Sequence, residues 1–431
     1  MSPFEKQRLW RILDFLVVSV IGIFLSRLLL ENKGVYTLCL LPFSVALLWV
    51  ILMDGVGVYE YENLNSLKNS IACLTFSVAI VGLIYALVCY KLAYNVRLLL
   101  VLHMILGLLF TILTRVFIIQ SGVLNKFRKK VIVALPNYKN ALDFLMNHPE
   151  YEVVKVVKIN PVLTEEAEQI LERTYADEII ANYGHLKDHE LAKRLLNKGH
   201  RINCFEDIYE GLTGKISLDF IDNKAYLEEF LSKAKEDRPY DSLKRLFDLI
   251  GAAIGGIVYL SVFPLIAIAV KLDSEGPIFY THKRRGKDGR LFTIWKIRSM
   301  IKDAERNGAQ RAKKGDPRIT RVGRILRKTR LDEFPQIFNI LKGEMSIIGP
   351  RPERPEHEKE LKKHIPSYDL RYLVKPGMAG WAMVNYDYID SIKDAKTRHE
   401  YDLYYIKNRD FYLDFKILLR ALKQLFLLKG R

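Results

Sequence analysis

Hydrophobic and polar positions change their spacing twice along this chain. Up to about residue 120 the apolar residues come in long runs. Four of these, about Leu9–Leu30, Val35–Met53, Ile71–Tyr90 and Leu98–Ile119, approach or reach the roughly 20 residues that a membrane-spanning helix needs. The first is the weakest, because Arg11, Asp14 and Arg27 interrupt or flank it, whereas the second and third carry no charge. Lys6, Arg8 and Arg11 lie at the start of the first run, and Lys126, Arg128, Lys129 and Lys130 follow the fourth. Both ends are therefore predicted to face the cytoplasm, as an even number of spans requires. A buried helical bundle is the alternative, and runs of this length disfavour it. No small-residue cleavage site follows the first run, so a cleavable signal peptide is not expected.

From Lys129 the pattern shortens. "KKVIVALPNYKNALDFLMNHPEYEVVKVV" reads as strand, turn, helix and strand; "ADEIIAN" as a strand, "HLKDHELAKRLLNKG" as a helix and "RINCF" as a strand. Such alternation over about Lys130–Leu218 predicts a small parallel α/β domain. A dinucleotide site would place glycines in the first strand–helix turn, so that the backbone can approach a pyrophosphate. "ALPNYKN" has none. The domain is therefore expected to be a Rossmann-like shell without that cofactor, structural or regulatory in role, with a homodimer contact as its expected use. Leu227–Asp241 reads as a charged connector.

Leu249–Val270 is again free of charge and long enough to span a bilayer. Pro264 interrupts it, which removes a backbone hydrogen bond and kinks a helix. Positive residues flank both ends, Lys244 and Arg245 before and Lys271, Lys283, Arg284 and Arg285 after, so both ends favour the cytoplasm. A broken helix that dips into one leaflet and returns satisfies both observations. At the far end, Phe415, Leu418, Leu419, Leu422 and Phe426 recur at helical spacing with Lys416, Arg420 and Lys423 between them. That pattern suits a helix resting on an anionic membrane surface, or one packed on its own domain's core.

Charge changes the picture. The 431 residues carry a formal net charge of +17, which points to anionic partners: nucleic acid, acidic lipid or phosphorylated substrates. The four cysteines, Cys39, Cys73, Cys89 and Cys204, form no C-x-x-C pair and suggest neither a disulfide framework nor a zinc site.

One acidic pair stands out in this basic chain: Asp332 and Glu333, in "RKTRLDEFPQIFNILKGEMSIIGPRP". Pro335 fits a first helical turn, Phe334, Ile337, Phe338 and Leu341 form an apolar stripe, and Gly343 is a natural stop. The pair is thus predicted at a helix N-terminus, where a plain cap is the simplest reading. Its neighbourhood argues for more. Arg318, Arg321, Arg324, Arg327, Arg330 and Arg351 surround it in sequence, and Arg284, Lys296 and Arg298 lie upstream near Gly286 and Gly289. Arginine forks suit phosphates. A carboxylate facing phosphate is repelled unless a cation such as Mg2+ lies between, and Mg2+ takes one or two protein carboxylates plus phosphate oxygens. The other carboxylate is then placed to attack phosphorus.

The segments "KRLFDL", "GPIFYTHKRRGKDGRLFTIWKIRSM", "DPRITRVGRILRKTRLDEFPQIFNILKGEMSIIGPRPERPE", "KPGMAGWAMVNY" and "YDLYYIKN" together resemble the bacterial sugar transferase family, the monotopic polyprenyl-phosphate phosphoglycosyl transferases, over about Tyr240–Arg431. The upstream spans and α/β domain resemble that family's larger form. The resemblance implies transfer of a sugar-1-phosphate from a UDP-sugar to undecaprenyl phosphate at the inner face of the bacterial cytoplasmic membrane. UMP would be released, a phosphosugar-aspartyl enzyme would form, Mg2+ would be required, and exopolysaccharide, capsule or O-antigen synthesis would begin there. Carried onto this chain, it makes Asp332 the nucleophile and Glu333 the Mg2+ ligand. Arg327 and Arg351 become phosphate-binding residues, joined by Arg298, Lys296 and Arg284. Leu246–Val270 becomes the re-entrant helix, with Pro264 as its break. His282 stands where the family often has Gln, Ile297 where it often has Phe, and Met383, Tyr386 and Asp387 depart from its common "GWAQVNGR", which leaves the sugar preference open.

The expected fold class is a multidomain membrane protein: an N-terminal four-helix transmembrane bundle (1–125), a small Rossmann-like α/β domain (126–226), a linker (227–243), a re-entrant membrane helix (244–272) and a mostly α-helical catalytic domain on the cytoplasmic face (273–431). Anionic membrane lipids are expected partners. A nucleic-acid binder would share the charge but not explain the apolar runs. A catalytically silent scaffold, or a transferase without a covalent intermediate, is separated from the expected reaction by turnover and by an Asp332→Asn variant.

Overall fold

A computed structural model describes residues 3–29, 41–60, 94–121, 128–135, 139–148, 151–158, 176–182, 201–235, 239–306, 315–386 and 391–426, with residues 174 and 197 besides. The chain divides into two compact units, Met1–Thr213 and Gly214–Arg431.

In the first unit, α1 (Pro3–Leu29), α2 (Leu41–Val56) and α3 (Tyr94–Ser121) are apolar helices. Gln7–Leu28 and Leu98–Phe117 are long and apolar enough to cross a membrane; α2 is a shorter apolar helix. The expected run Ile71–Tyr90 lies outside the described residues. Two of the charges that weaken the first run in sequence, Arg11 and Asp14, turn out to be partnered. Arg115 of α3 donates to Asp14 at 3.0 Å, Tyr59 donates to the same carboxylate at 2.7 Å, and Arg11 pairs with Asp54 at 2.7 Å. Intramembrane charge is tolerated when it faces the bundle interior and is paired, and Asp14 and Arg115 are each about 1% exposed.

The same unit holds a parallel sheet in the order β2-β1-β3-β4, made of β1 (Lys129–Leu135), β2 (Tyr151–Lys158), β3 (Glu178–Ala181) and β4 (Ile202–Cys204). Val131–Ala134 and Ile179–Ala181 are buried, as strands covered on both faces must be. Two described helices accompany the sheet, α4 (Lys139–Asn147) and α5 (Phe205–Thr213). Most of the turn after β1, and nearly all of the expected helix before "RINCF", lie outside the described residues.

The second unit is mostly helical. After α6 (Leu218–Ile221), the stretch expected as a connector folds as α7 (Lys224–Lys235), because Tyr226, Phe230 and Ala234 recur at helical spacing and are buried. Helix α8 (Pro239–Asp273) follows, 35 residues and about 52 Å long, helical throughout with Pro264 inside it. An antiparallel hairpin, β5 (Phe279–Arg285) with β6 (Leu291–Ile297), then leads to α9 (Arg321–Thr329), α10 (Ile337–Lys342), β7 (Ser346–Ile348), α11 (Pro355–His364), β8 (Gly377–Ala379), α12 (Trp381–Asn385), α13 (Ile392–Asn408) and α14 (Phe411–Phe426).

The core of this unit lies along one side of α8. Ala252 packs with Phe292, Ile294, Ile337, Ile340 and Met345, and Tyr259 and Val270 pack with Ile297 and Leu326. Asp248, a lone acid in the apolar stretch, accepts from Ser346 Oγ at 3.0 Å and from the Ile347 amide at 2.9 Å. Asp273 accepts from the Val322 amide at 2.8 Å. The opposite side of α8 is bare: Ile257, Leu265 and Leu272 are 71%, 72% and 83% exposed. Helix α14 packs on its own domain's core through Leu413, Ile417 and Leu419 and leaves Leu418 and Leu422 exposed.

Gly323 offers a test of this packing. Thr320 caps α9 by accepting from the Gly323 amide, and a Cβ on Gly323 would fall 2.0 Å from the Ser299 carbonyl oxygen. In an open helix Gly→Ala stabilises by roughly 1 kcal/mol. Here Gly323→Ala is expected to destabilise by about 1–3 kcal/mol, read as a lowered denaturation midpoint in detergent.

Candidate active site

Two crossings fix the local chain path. Arg330 ends α9 with φ of 58°, a left-handed turn that starts the 3-10 segment Leu331–Gln336. Asp332 and Glu333 sit in that turn, ahead of α10. Neither this segment nor α10 has a side-chain cap, so the plain N-cap reading of Asp332 does not describe its geometry. The second crossing is between β7 and β8. The Gly349 amide donates to Ala379 O at 2.8 Å and the Gly377 amide to Pro350 O at 3.0 Å, an approach so close that a Cβ on Gly377 would meet Gly349 N at 2.1 Å. This seats the Gly349–Pro352 turn, and Arg371 holds it by donating to Arg351 O at 2.8 Å.

Arg351 reaches from that turn to Glu333, at 2.5 Å to Oε1 and 3.3 Å to Oε2. Lys296, near the end of β6, donates to Glu333 Oε1 at 2.6 Å. Burial pushes the Glu333 carboxyl up, but the Arg351 and Lys296 charges outweigh it and hold the group well below the usual carboxylate range. Asp332 goes the other way. It is 8% exposed. Burial first, and the Glu333 charge second, push it up to about 6 against the opposing Lys296, Arg327 and Arg351. No hydrogen bond reaches its carboxylate among the described residues. Adjacent carboxylates in such different surroundings take different roles.

The other residues singled out from sequence divide. Arg327 is part of the field on Asp332, and its side chain forms no hydrogen bond or ion pair among the described residues. Arg284 faces the same centre, but its guanidinium holds the Arg351 turn, donating to Pro352 O at 3.0 Å and Glu353 at 3.4 Å. Arg298 is a correction to its expected place at the phosphate site. Strand β6 ends at Ile297, and the Arg298 side chain turns to the end of α8, where it donates to Ser274 O at 2.6 Å and Glu275 O at 2.8 Å. Arg318 is likewise spent on Asp316 at 2.6 Å. Pro264 was expected to break the membrane helix, but α8 runs unbroken through it; it directly follows Phe263 and lies five residues after Tyr259, whose rings carry α8 onto Phe279 and Phe334.

Several polar residues here were not singled out from sequence. Arg354 pairs with Glu305 at 2.7 Å beside Tyr280. Behind the turn, Glu353, Tyr368, Arg371, Arg398, His399 and Asp402 line a cavity of about 10 Å³, room for one water. Apart from Glu353, which lies in the turn itself, they sit in ordinary-looking helical stretches, and only the fold gathers them.

The donor set fits Mg2+. No group of three His, Cys, Asp or Glu side chains converges among the described residues. Mg2+ needs only one or two carboxylates with phosphate and water oxygens. Glu333 Oε2 takes one donor and keeps a lone pair, and Asp332 is unbonded.

The profile of the family described as bacterial sugar transferase matches residues 239–427. A putative undecaprenyl-phosphate N-acetylgalactosaminyl 1-phosphate transferase of Bacillus subtilis is 46% identical over 132 residues, 31% of this chain and 74% of that protein. This chain belongs to the bacterial sugar transferase family. A UDP-N-acetylgalactosamine-undecaprenyl-phosphate N-acetylgalactosaminephosphotransferase of Aeromonas hydrophila is 39% identical over 218 residues, 51% of this chain and 50% of the relative. A UDP-glucose:undecaprenyl-phosphate glucose-1-phosphate transferase of Escherichia coli is 40% identical over 178 residues, 41% of this chain and 38% of the relative. The chain thus spans half or less of the length of these last two.

The raised Asp332 carboxyl has a checkable sign. The folded chain keeps that proton up to about pH 6, so the group is neutral below and charged above. Infrared difference spectra of wild type against Asp332→Asn should show a carboxylic-acid band that fades as pH rises through about 6. In Lys296→Met the midpoint should move upward, because a cation that favours the carboxylate is gone.

Proposed function

We propose that this chain transfers a sugar-1-phosphate from a UDP-sugar to undecaprenyl phosphate, releasing UMP. The carrying observation is the split between the two carboxylates, Glu333 clamped by Lys296 and Arg351 while Asp332 stays unbonded and buried. An Asp332 oxygen attacks the sugar-bearing phosphorus and the P–O bond to UMP breaks, leaving a phosphosugar-aspartyl enzyme. An oxygen of undecaprenyl phosphate then attacks the same phosphorus, and the Asp332 carboxylate is released. Neither step needs a proton, since an anionic oxygen enters and an anionic oxygen leaves each time.

Arg327, whose side chain has no other partner among the described residues, would hold a substrate phosphate, while Arg351 and Lys296 keep Glu333 charged. Glu333 would hold Mg2+ through the open position on Oε2. When bound, the ion supplies positive charge at the phosphoryl oxygens.

The lipid substrate fits the way α8 is mounted. The same globular body packs along it from Tyr240 to Asp273, at both ends, and leaves the far side apolar and bare. A helix held by one body over its whole length enters a bilayer from one side, which favours re-entry into one leaflet over a full span. The flanking Lys and Arg favour the cytoplasm for that side, which would be the inner membrane of a bacterium. The product would be the lipid-linked sugar that begins an exopolysaccharide, capsule or O-antigen.

Purified protein in detergent, given Mg2+, undecaprenyl phosphate and a panel of UDP-sugars, should release UMP with at least one sugar. Asp332→Asn should lower the rate by at least about a thousandfold, and Arg327→Ala should raise KM for the UDP-sugar by roughly 10- to 100-fold. No release with any sugar, from folded protein, would contradict the reading and favour a silent scaffold.

A further inference from the structure

Strand β5 carries Tyr280, His282 and Arg284 at alternate positions, and the antiparallel register sets Lys296 across from Tyr280 and Ile294 across from His282. These residues therefore share one face of the hairpin. It is the face from which Lys296 reaches Glu333. His282 has no part in the chemistry described so far.

Its two nitrogens are unequal. Arg284 Nε donates to His282 Nε2 at 2.6 Å. A guanidinium nitrogen can only donate, so Nε2 is the bare nitrogen and the ring proton belongs on Nδ1. His282 is half-buried, and its Nδ1 is shielded from solvent and has no partner among the described residues. The ring is held by the Arg284 hydrogen bond and lies 5.3 Å from that of Tyr280. Burial first, then the charges of Arg284, Lys296, Arg354 and Arg351, keep the imidazole neutral, with its pKa down to about 2. A neutral ring thus presents one buried donor, without an acceptor, amid four cations. Buried donors are rarely left unpaired, and the surrounding charge selects an anionic acceptor over a neutral one.

We infer that His282 is a substrate-binding residue whose Nδ1–H donates to an anionic phosphoryl oxygen during the reaction. The inference rests on the transferase reading above. Two sources carry that chemistry, the diphosphate of the UDP-sugar and the phosphate of undecaprenyl phosphate. Arg284 is then a positioning residue, because its Nε–H fixes which imidazole nitrogen carries the proton.

The test uses His282→Phe, which keeps a ring but has neither nitrogen, and His282→Gln, whose amide oxygen can take the Arg284 proton while its NH2 replaces Nδ1–H. Steady-state kinetics on the full chain should show KM for one phosphorylated substrate raised roughly 10- to 100-fold in His282→Phe and restored to within about fivefold in His282→Gln. The substrate whose KM moves names the source of the phosphoryl group. Calorimetry with uridine, UMP and UDP reads binding without turnover, and a nucleotide source predicts that His282→Phe weakens UDP but not uridine. Unchanged KM values for both substrates, equal damage in both variants, or equal weakening of uridine and UDP would each overturn the assignment. If wild type itself shows no turnover, the transferase reading has failed, and unchanged UDP binding in His282→Phe would then show separately that the histidine does not hold the nucleotide's phosphates.

Discussion

The ion-pair clamp on Glu333 is the constraint on which the site depends. Two adjacent carboxylates in a buried turn cannot both be charged without compensation, because desolvation and mutual repulsion both favour protonation. Lys296 and Arg351 supply that compensation to one member alone. Glu333 is therefore fixed as an anion, and its charge, with burial, loads Asp332. Bringing the two cations there takes the β5–β6 hairpin for Lys296 and the tight β7–β8 crossing for Arg351. The two glycines at that crossing, Gly349 and Gly377, leave no space for a Cβ.

The clamp is also tied to the apolar helix. Phe334 follows the dyad directly and its ring stacks on Tyr259 of α8 at 5.7 Å. Asp248 holds β7, the strand that leads into the Arg351 turn, at 2.9 Å and 3.0 Å. The helix with the largest exposed apolar face thus supports both sides of the carboxylate site. The proposed reaction between a water-soluble sugar nucleotide and a lipid phosphate would need that proximity, since the phosphate of a long-chain lipid stays at the membrane surface.

Much of this was legible in the sequence. The dyad, its following apolar stripe and the turn with Arg351 show themselves through residue type and spacing, as do the apolar runs and the alternation that builds the parallel sheet. The misplaced residue is instructive. Lys296 and Arg298 are two apart and would share a face if the strand continued, but β6 stops at Ile297, so the second side chain turns to the α8 carbonyls instead. No propensity marks that end. Arg11 and Asp14 likewise look like defects in an apolar run until the fold supplies Asp54 and Arg115. Glu353 and Arg398 were missed, and His282 was noted only as a departure from the family's Gln, because a single polar residue carries no spacing signal; their meaning comes from neighbours distant in sequence.

The central claim is that Asp332, not Glu333, forms a bond to phosphorus. Mass spectrometry of the full chain, incubated with Mg2+ and the UDP-sugar it uses but without lipid acceptor, tests this most directly. The account predicts one added sugar phosphate, located by proteolysis on the peptide that contains Asp332 and absent from Asp332→Asn. Unmodified protein, with UMP appearing only when undecaprenyl phosphate is added, would contradict it and point to direct transfer between the two substrates.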